Sequence, residues 1–125
     1  MDYAKRELFQ DARLWAENGW VDAFYPMNYE RSNNERFAAY CRETVELRRR
    51  GARVLEGIGA WLHAKNPSIS VKQIRLAREL GADGIAIFSY AALFPSAASP
   101  AGLPEKKEMA ALREALRPIL QGIRP

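Results

Sequence analysis

Three short β-prone runs, each entered from a helix-period segment through a glycine, constrain this chain more tightly than any other feature of it. The runs cover residues 19–29, 53–59 and 84–90. Helical spacing of apolar residues governs residues 3–18, a segment from Asn34 to a stop at Gly51, a segment from Ser70 to a stop at Gly81, and a segment opening at Glu105. Strands separated by helices pair in parallel through right-handed crossovers. The order α-β-α-β-α-β-α therefore predicts an α/β fold with about three parallel strands and four helices.

In the first run, Val21, Ala23, Tyr25, Met27 and Tyr29 share one face by the two-residue period of a strand. Pro26 has no amide hydrogen to donate, so regular pairing is expected to stop near it and leave a polar, aromatic loop beyond. The preceding helix places Leu8, Ala12 and Trp15 at helical spacing and stops at Asn18-Gly19. Asn34 is the expected N-cap of the next helix, which carries Phe37, Tyr40, Cys41, Thr44, Val45 and Leu47. Ser70, three residues before Gln73, fits a capping box ahead of Ile74, Ala77 and Leu80. Trp61, Leu62 and His63 read as a loop after the second strand. The third strand is apolar on both faces, as strands covered on two sides tend to be. Residues 94–104 form a Pro/Ser/Ala-rich loop long enough for a lid or linker. Pro118 predicts a kink or early end in the last helix, whose apolar face holds Met109, Leu112, Leu116, Ile119 and Leu120.

At 125 residues and 48% hydrophobic content, residues 1–125 make a single domain with a modest core. A net charge of +4 falls short of a nucleic-acid signature, and Arg48-Arg49-Arg50 reads as a solvated helix end complementing the dipole. Cys41 is the only cysteine, so it is expected to be a packed thiol. No apolar run approaches membrane-spanning length, and the polar start lacks a signal-peptide pattern, so no membrane partner is expected. No cofactor is implied, and the single histidine, His63, has no ligand spacing around it, so it reads as a loop histidine and no metal site is expected.

Three parallel strands leave two edges unpaired, whereas eight such units close a (β/α)8 barrel and remove the edges. The chain thus reads as a partial (β/α)8 TIM barrel. Gln10-Asp11, Trp15, Gly19-Trp20 and Asp22, then Pro26-Met27 and Tyr29, then Gly57-Ile58-Gly59, then Gly81-Ala82 and Gly84 ahead of Phe88-Ser89-Tyr90, resemble the glycosyl-hydrolase-like family 10 group. Those are bacterial barrel proteins related to glycoside hydrolases that act on glycans, including cell-wall strands. The resemblance runs from about Phe9 to Leu93 and corresponds to the C-terminal part of that barrel. It implies a polysaccharide or oligosaccharide partner, an extracytoplasmic location, and carboxylates on N-terminal strands that have no counterpart here. The chain alone is expected to lack turnover and to partner a missing N-terminal barrel half or further copies of itself.

Glycoside hydrolysis needs two carboxyl groups flanking the bond. Within this chain Glu56, late in the second strand and sharing a face with Val54 and Ile58, is the candidate catalytic acid. The competing role is a salt-bridged glutamate at the barrel rim. Asp22, at the entry end of its strand, reads as structural. Sugar rings present apolar faces and hydroxyl rims, so Tyr25, Tyr29, Trp61 and Tyr90 at strand exits are the candidate stacking surfaces. Asn28 and Ser89 are the candidate hydrogen-bond partners. The alternative reading is a non-catalytic module that binds carbohydrate or self-associates to cover its edges.

Overall fold

Strand β2, Arg53–Gly59, is the centre of a three-stranded parallel sheet in a computed structural model that describes residues 2–94 and 105–121, the side chains of Ala92 and Leu120 excepted. Strand β1, Ala23–Phe24, lies on one side of it, and β3, Gly84–Phe88, on the other. Register is set by Ala23 opposite Arg53, Leu55 opposite Gly84 and Gly59 opposite Phe88. The chain is thus a mixed α/β protein whose strands keep their sequence order across the sheet.

The first strand is much shorter than residues 19–29. Gly19, at φ 64°, turns the chain out of the preceding helix, with the Trp20 amide donating to the Trp15 carbonyl. Contact with β2 nevertheless extends beyond the strand at both ends. Arg53 N–H donates to the Asp22 carbonyl, and Gly57 N–H donates to the Pro26 carbonyl at 3.0 Å. Pro26 lacks only the donor, so it still serves β2 as an acceptor on the edge of the sheet.

The helix expected over residues 3–18 is two helices, α1 at Asp2–Glu7 and α2 at Ala12–Glu17. Between them Phe9 adopts φ 55°, and Asp11 ends the break by accepting from the Leu14 amide at 3.1 Å and pairing with Lys5 at 2.7 Å. Leu8 therefore does not join Trp15 on one stripe, and the buried residue of α2 is Ala16. Helix α3, Asn34–Val45, is capped by Asn33 rather than Asn34, because the Asn33 side chain accepts from the Arg36 amide at 2.9 Å. It continues into a 3₁₀ turn, Glu46–Arg50, that Gly51 closes at φ 91°.

Helix α4, Ser68–Glu79, begins before Ser70, so Ser70 is no cap but a buried residue of the first turn. The expected loop at Trp61 to His63 is a 3₁₀ turn, Ala60–His63, in which His63 is buried. A short helix α5, Tyr90–Leu93, follows β3, and α6 runs over Lys106–Gln121 with Pro118 inside it and no early end. The lid or linker expected over residues 94–104 lies, apart from Phe94, outside the described residues.

The core sits on one face of the sheet. Ile58 points into its larger cluster with Phe37 and Cys41 of α3, Ile74 and Ala77 of α4, and Met109, Leu112 and Leu116 of α6, while Val54 points into a second cluster. Leu47, Ala52 and Ala16 extend it toward α2. By the strand period, Leu55, Gly57, Gly59, Ala86 and Phe88 take the opposite face, to which these clusters contribute no helix. Among the described residues the third strand is therefore covered on one side only, and its residues are half-buried or exposed rather than enclosed.

Arg48, Arg49 and Arg50 are all exposed, as a solvated helix end should be, and each also has a partner. Arg48 grips Asp83 through two nitrogens, at 2.8 and 2.9 Å, and donates to the Gly81 carbonyl. Asp83 in turn accepts from the Val54 amide at 2.8 Å. This strap ties the end of α3 to the turn entering β3, while Arg49 and Arg50 pair with Glu46 and Glu17.

Candidate functional site

Gly57 and Gly59 leave the carboxyl end of β2 without side chains on the uncovered face, and aromatic rings fill that space. A Cβ on Gly59 would meet Trp61 at 3.0 Å and Tyr29 at 3.1 Å; one on Gly57 would meet the Pro26 carbonyl oxygen and the Tyr29 ring. Tyr29 and Trp61 meet edge to face with centroids 5.0 Å apart. Phe88 closes the group, 5.6 Å from Tyr29 and 5.5 Å from Trp61. The separations are those of mutually stabilising aromatic pairs. Each ring comes from the exit of a different strand, so parallel pairing gathers them at one end of the sheet.

Phe88 is 52% exposed, whereas Tyr29 and Trp61 are half-buried and Trp61 also packs against the core, so the trio is a wall rooted in the core at Trp61 and open to solvent at Phe88. Burial also raises the Tyr29 phenol above its ordinary pKa, keeping it a neutral hydroxyl at the edge of the wall. Beneath it, His63 Nε2–H donates to the Glu30 carbonyl at 2.8 Å, since a carbonyl can only accept; Nδ1 then accepts from Ser70 Oγ at 2.8 Å. Gln73 Nε2 donates to the same carbonyl, also at 2.8 Å. These bonds anchor the backbone just after Tyr29. His63 is thus a buried brace, its pKa lowered by burial, and not a loop histidine.

The other expected sugar contacts divide between two separate places, one beside β1 and one after β3. Tyr25 and Asn28 line a cavity of about 630 Å³ along the free edge of β1, together with Met27, Trp15 and Tyr40. Tyr90 instead stacks on Phe94, with centroids 4.8 Å apart, and the Arg113 guanidinium lies 5.3 Å from the Phe94 centroid. Ser89 sits at the start of α5, where its carbonyl accepts from Leu93, and its side chain makes no capping bond.

Glu56 is on the helix side of β2 and has no exposed surface. Its Oε2 accepts from Asn28 Nδ2 at 2.8 Å, its Oε1 meets the Thr44 hydroxyl, and the Cys41 thiol is a third partner. None of these partners carries a charge, so no salt bridge of the rim type forms with them. Burial raises the pKa of Glu56, and it raises that of the Cys41 thiol as well, with the nearby carboxyl adding to the effect. Cys41 is the packed thiol its isolation suggested.

Phe88 is the wall residue that sequence reasoning passed over, because it was counted as strand interior. Its signal was position: the last apolar residue of a strand, one step before the polar Ser89. Thr44 and Cys41 were read as helix stripe and gave no sign of facing a carboxyl group. No protein-family model matches this chain, and neither a curated protein nor a solved structure matches it.

Proposed function

We propose that the chain is the C-terminal part of a (β/α)8-type barrel acting on polysaccharide, and that Tyr29, Trp61 and Phe88 form its sugar-stacking wall. The observation that carries this reading is the aromatic trio itself, set at the carboxyl ends of three parallel strands on the face no core helix covers. Flat apolar rings with a phenol at their edge match a sugar's apolar face and hydroxyl rim. The topology supports the barrel portion of the proposal. Strands in sequence order with their helices on one side are what a segment of a barrel would present, whereas doubly wound sheets reverse order and place helices on both sides.

Glu56 faces away from this wall, and Glu30, next to Tyr29, is occupied by the Ser32 and Asn33 amides and by Arg36. Hydrolysis by a carboxyl pair therefore draws on groups from the remainder of a barrel, and the contribution of this chain is binding. The free edges and the exposed Tyr25 and Met27 favour a second reading, a glycan-binding module that self-associates.

Calorimetric titration with soluble cell-wall glycan oligomers tests the wall. Trp61→Ala and Phe88→Ala are each expected to weaken binding by about tenfold, the equivalent of roughly 1.4 kcal/mol, while Tyr90→Ala leaves it unchanged. Equal affinities in all three variants, or no heat at millimolar oligomer, would overturn the proposal.

A further inference from the structure

Asn28 and Tyr29 straddle β2 at one level. The Asn28 amide reaches Glu56 on the helix side, while the Tyr29 ring lies against Gly57, the next residue of the strand, on the open side. Between them the chain is tight, with the Tyr29 amide donating to the Met27 carbonyl at 2.9 Å. Whatever holds Asn28 therefore holds the ring that joins Trp61 and Phe88.

We propose that Glu56 is the positioning residue of the aromatic wall: as a neutral carboxylic acid sealed between Thr44 and Asn28 it fixes the turn bearing Tyr29, and its ionisation releases that turn. The ligand side of this proposal rests on the sugar-wall reading; the clamp does not. Hydrogen-bond accounting accommodates the acid form. Thr44 Oγ1 lies 3.1 Å from the Tyr40 carbonyl and 3.2 Å from that of Cys41, both of which can only accept. The Thr44 proton can go to one of them while the Glu56 O–H donates to Thr44 Oγ1 and its other oxygen accepts from Asn28. Every proton then has an acceptor and no charge is buried.

Among the described residues, Thr44, Asn28 and Cys41 offer hydrogen bonds that favour a carboxylate, but no cation faces it, and burial outweighs those bonds. α3 presents Cys41 and Thr44, with Arg42 acting on Cys41; the loop presents Asn28; β3 presents Ile85 in register; α4 presents Ile74 and Ala77 to the same core. A buried carboxylate without a cationic partner is strongly disfavoured. Burial accordingly lifts the group above the ordinary glutamate pKa of 4.5, so the folded state keeps the proton longer than the unfolded chain does. The clamp is complete below that ordinary value. Its contribution declines as pH rises above it, until the folded group itself ionises.

The test follows the Glu56 carboxyl carbon, the Tyr29 ring and the Trp61 indole by NMR across pH, without glycan. The expected result is that both rings move with the Glu56 titration in the native chain. In Glu56→Gln, an isostere of the neutral acid, they hold their low-pH positions throughout. In Asn28→Ala, Glu56 still titrates while the Tyr29 ring stays in its released position; Thr44→Val is the second variant should Asn28→Ala not fold. Rings that ignore the Glu56 titration, or a Glu56→Gln chain that keeps the same profile, would overturn the clamp. Adding glycan oligomer separates the two proposals. A clamp that titrates with no binding at any pH removes the sugar reading alone, and binding with identical pH profiles in native and Glu56→Gln chains removes the clamp alone.

Discussion

Gly57 shows how one missing side chain decides the shape of the wall. Its amide donates to the Pro26 carbonyl, and a methyl group in place of its hydrogen would collide with that same oxygen. Backbone cannot swing aside as a side chain can. Gly57→Ala is therefore expected to cost roughly 1–3 kcal/mol, the usual range for forced overpacking, and to part Tyr29 from Trp61. Urea unfolding checks it: a midpoint equal to that of the native chain would contradict the close approach. Gly59 differs in kind, since an added methyl there would meet only the side chains of Trp61, Tyr29 and Leu62. The two glycines of one motif thus have separate duties, one set by a carbonyl and the other by rings.

Among the elements, α3 does most to place the site. Its N-terminus begins at the end of the loop that carries Tyr29, its last turns supply Cys41 and Thr44 to Glu56, and the 3₁₀ turn that continues it is strapped to Asp83 through Arg48. The cap is the point of entry. Asn33→Ala is expected to lower stability by about 1 kcal/mol, the typical loss for such a cap, read as a fall in thermal midpoint. Asn34→Ala should be the milder change, because the Asn34 Oδ1 accepts no hydrogen bond; equal losses in the two variants would place the cap at Asn34 after all. The misplacement by one residue in the sequence reading has a plain cause. Two adjacent asparagines have the same capping chemistry, and only the backbone dihedrals choose between them.

At the largest scale, the outstanding feature among the described residues is a parallel sheet with helices on one face and unpaired edges at β1 and β3. Parallel strands are ordinarily buried on both faces, and unpaired edges invite pairing. The chain alone is expected to associate in solution, with light scattering showing a mass that grows with concentration; a sharp monomer over a hundredfold range would count against open edges. Much of the architecture was legible in local chemistry. Glycine stops, helical and two-residue periods, and the αβ alternation determine the parallel sheet, β2 and most of β3, because each depends on residues near one another in sequence. What tertiary structure alone decided was which side of β2 each neighbour takes. It turned Glu56 into the helix layer, made His63 and Ser70 a buried brace, and joined Phe88 to Tyr29 and Trp61. Those outcomes follow from strand register and from the path of the loop after Pro26, and they bring together pairs such as Tyr29 with Phe88 and Glu30 with His63, more than thirty positions apart, for which no local period carries information.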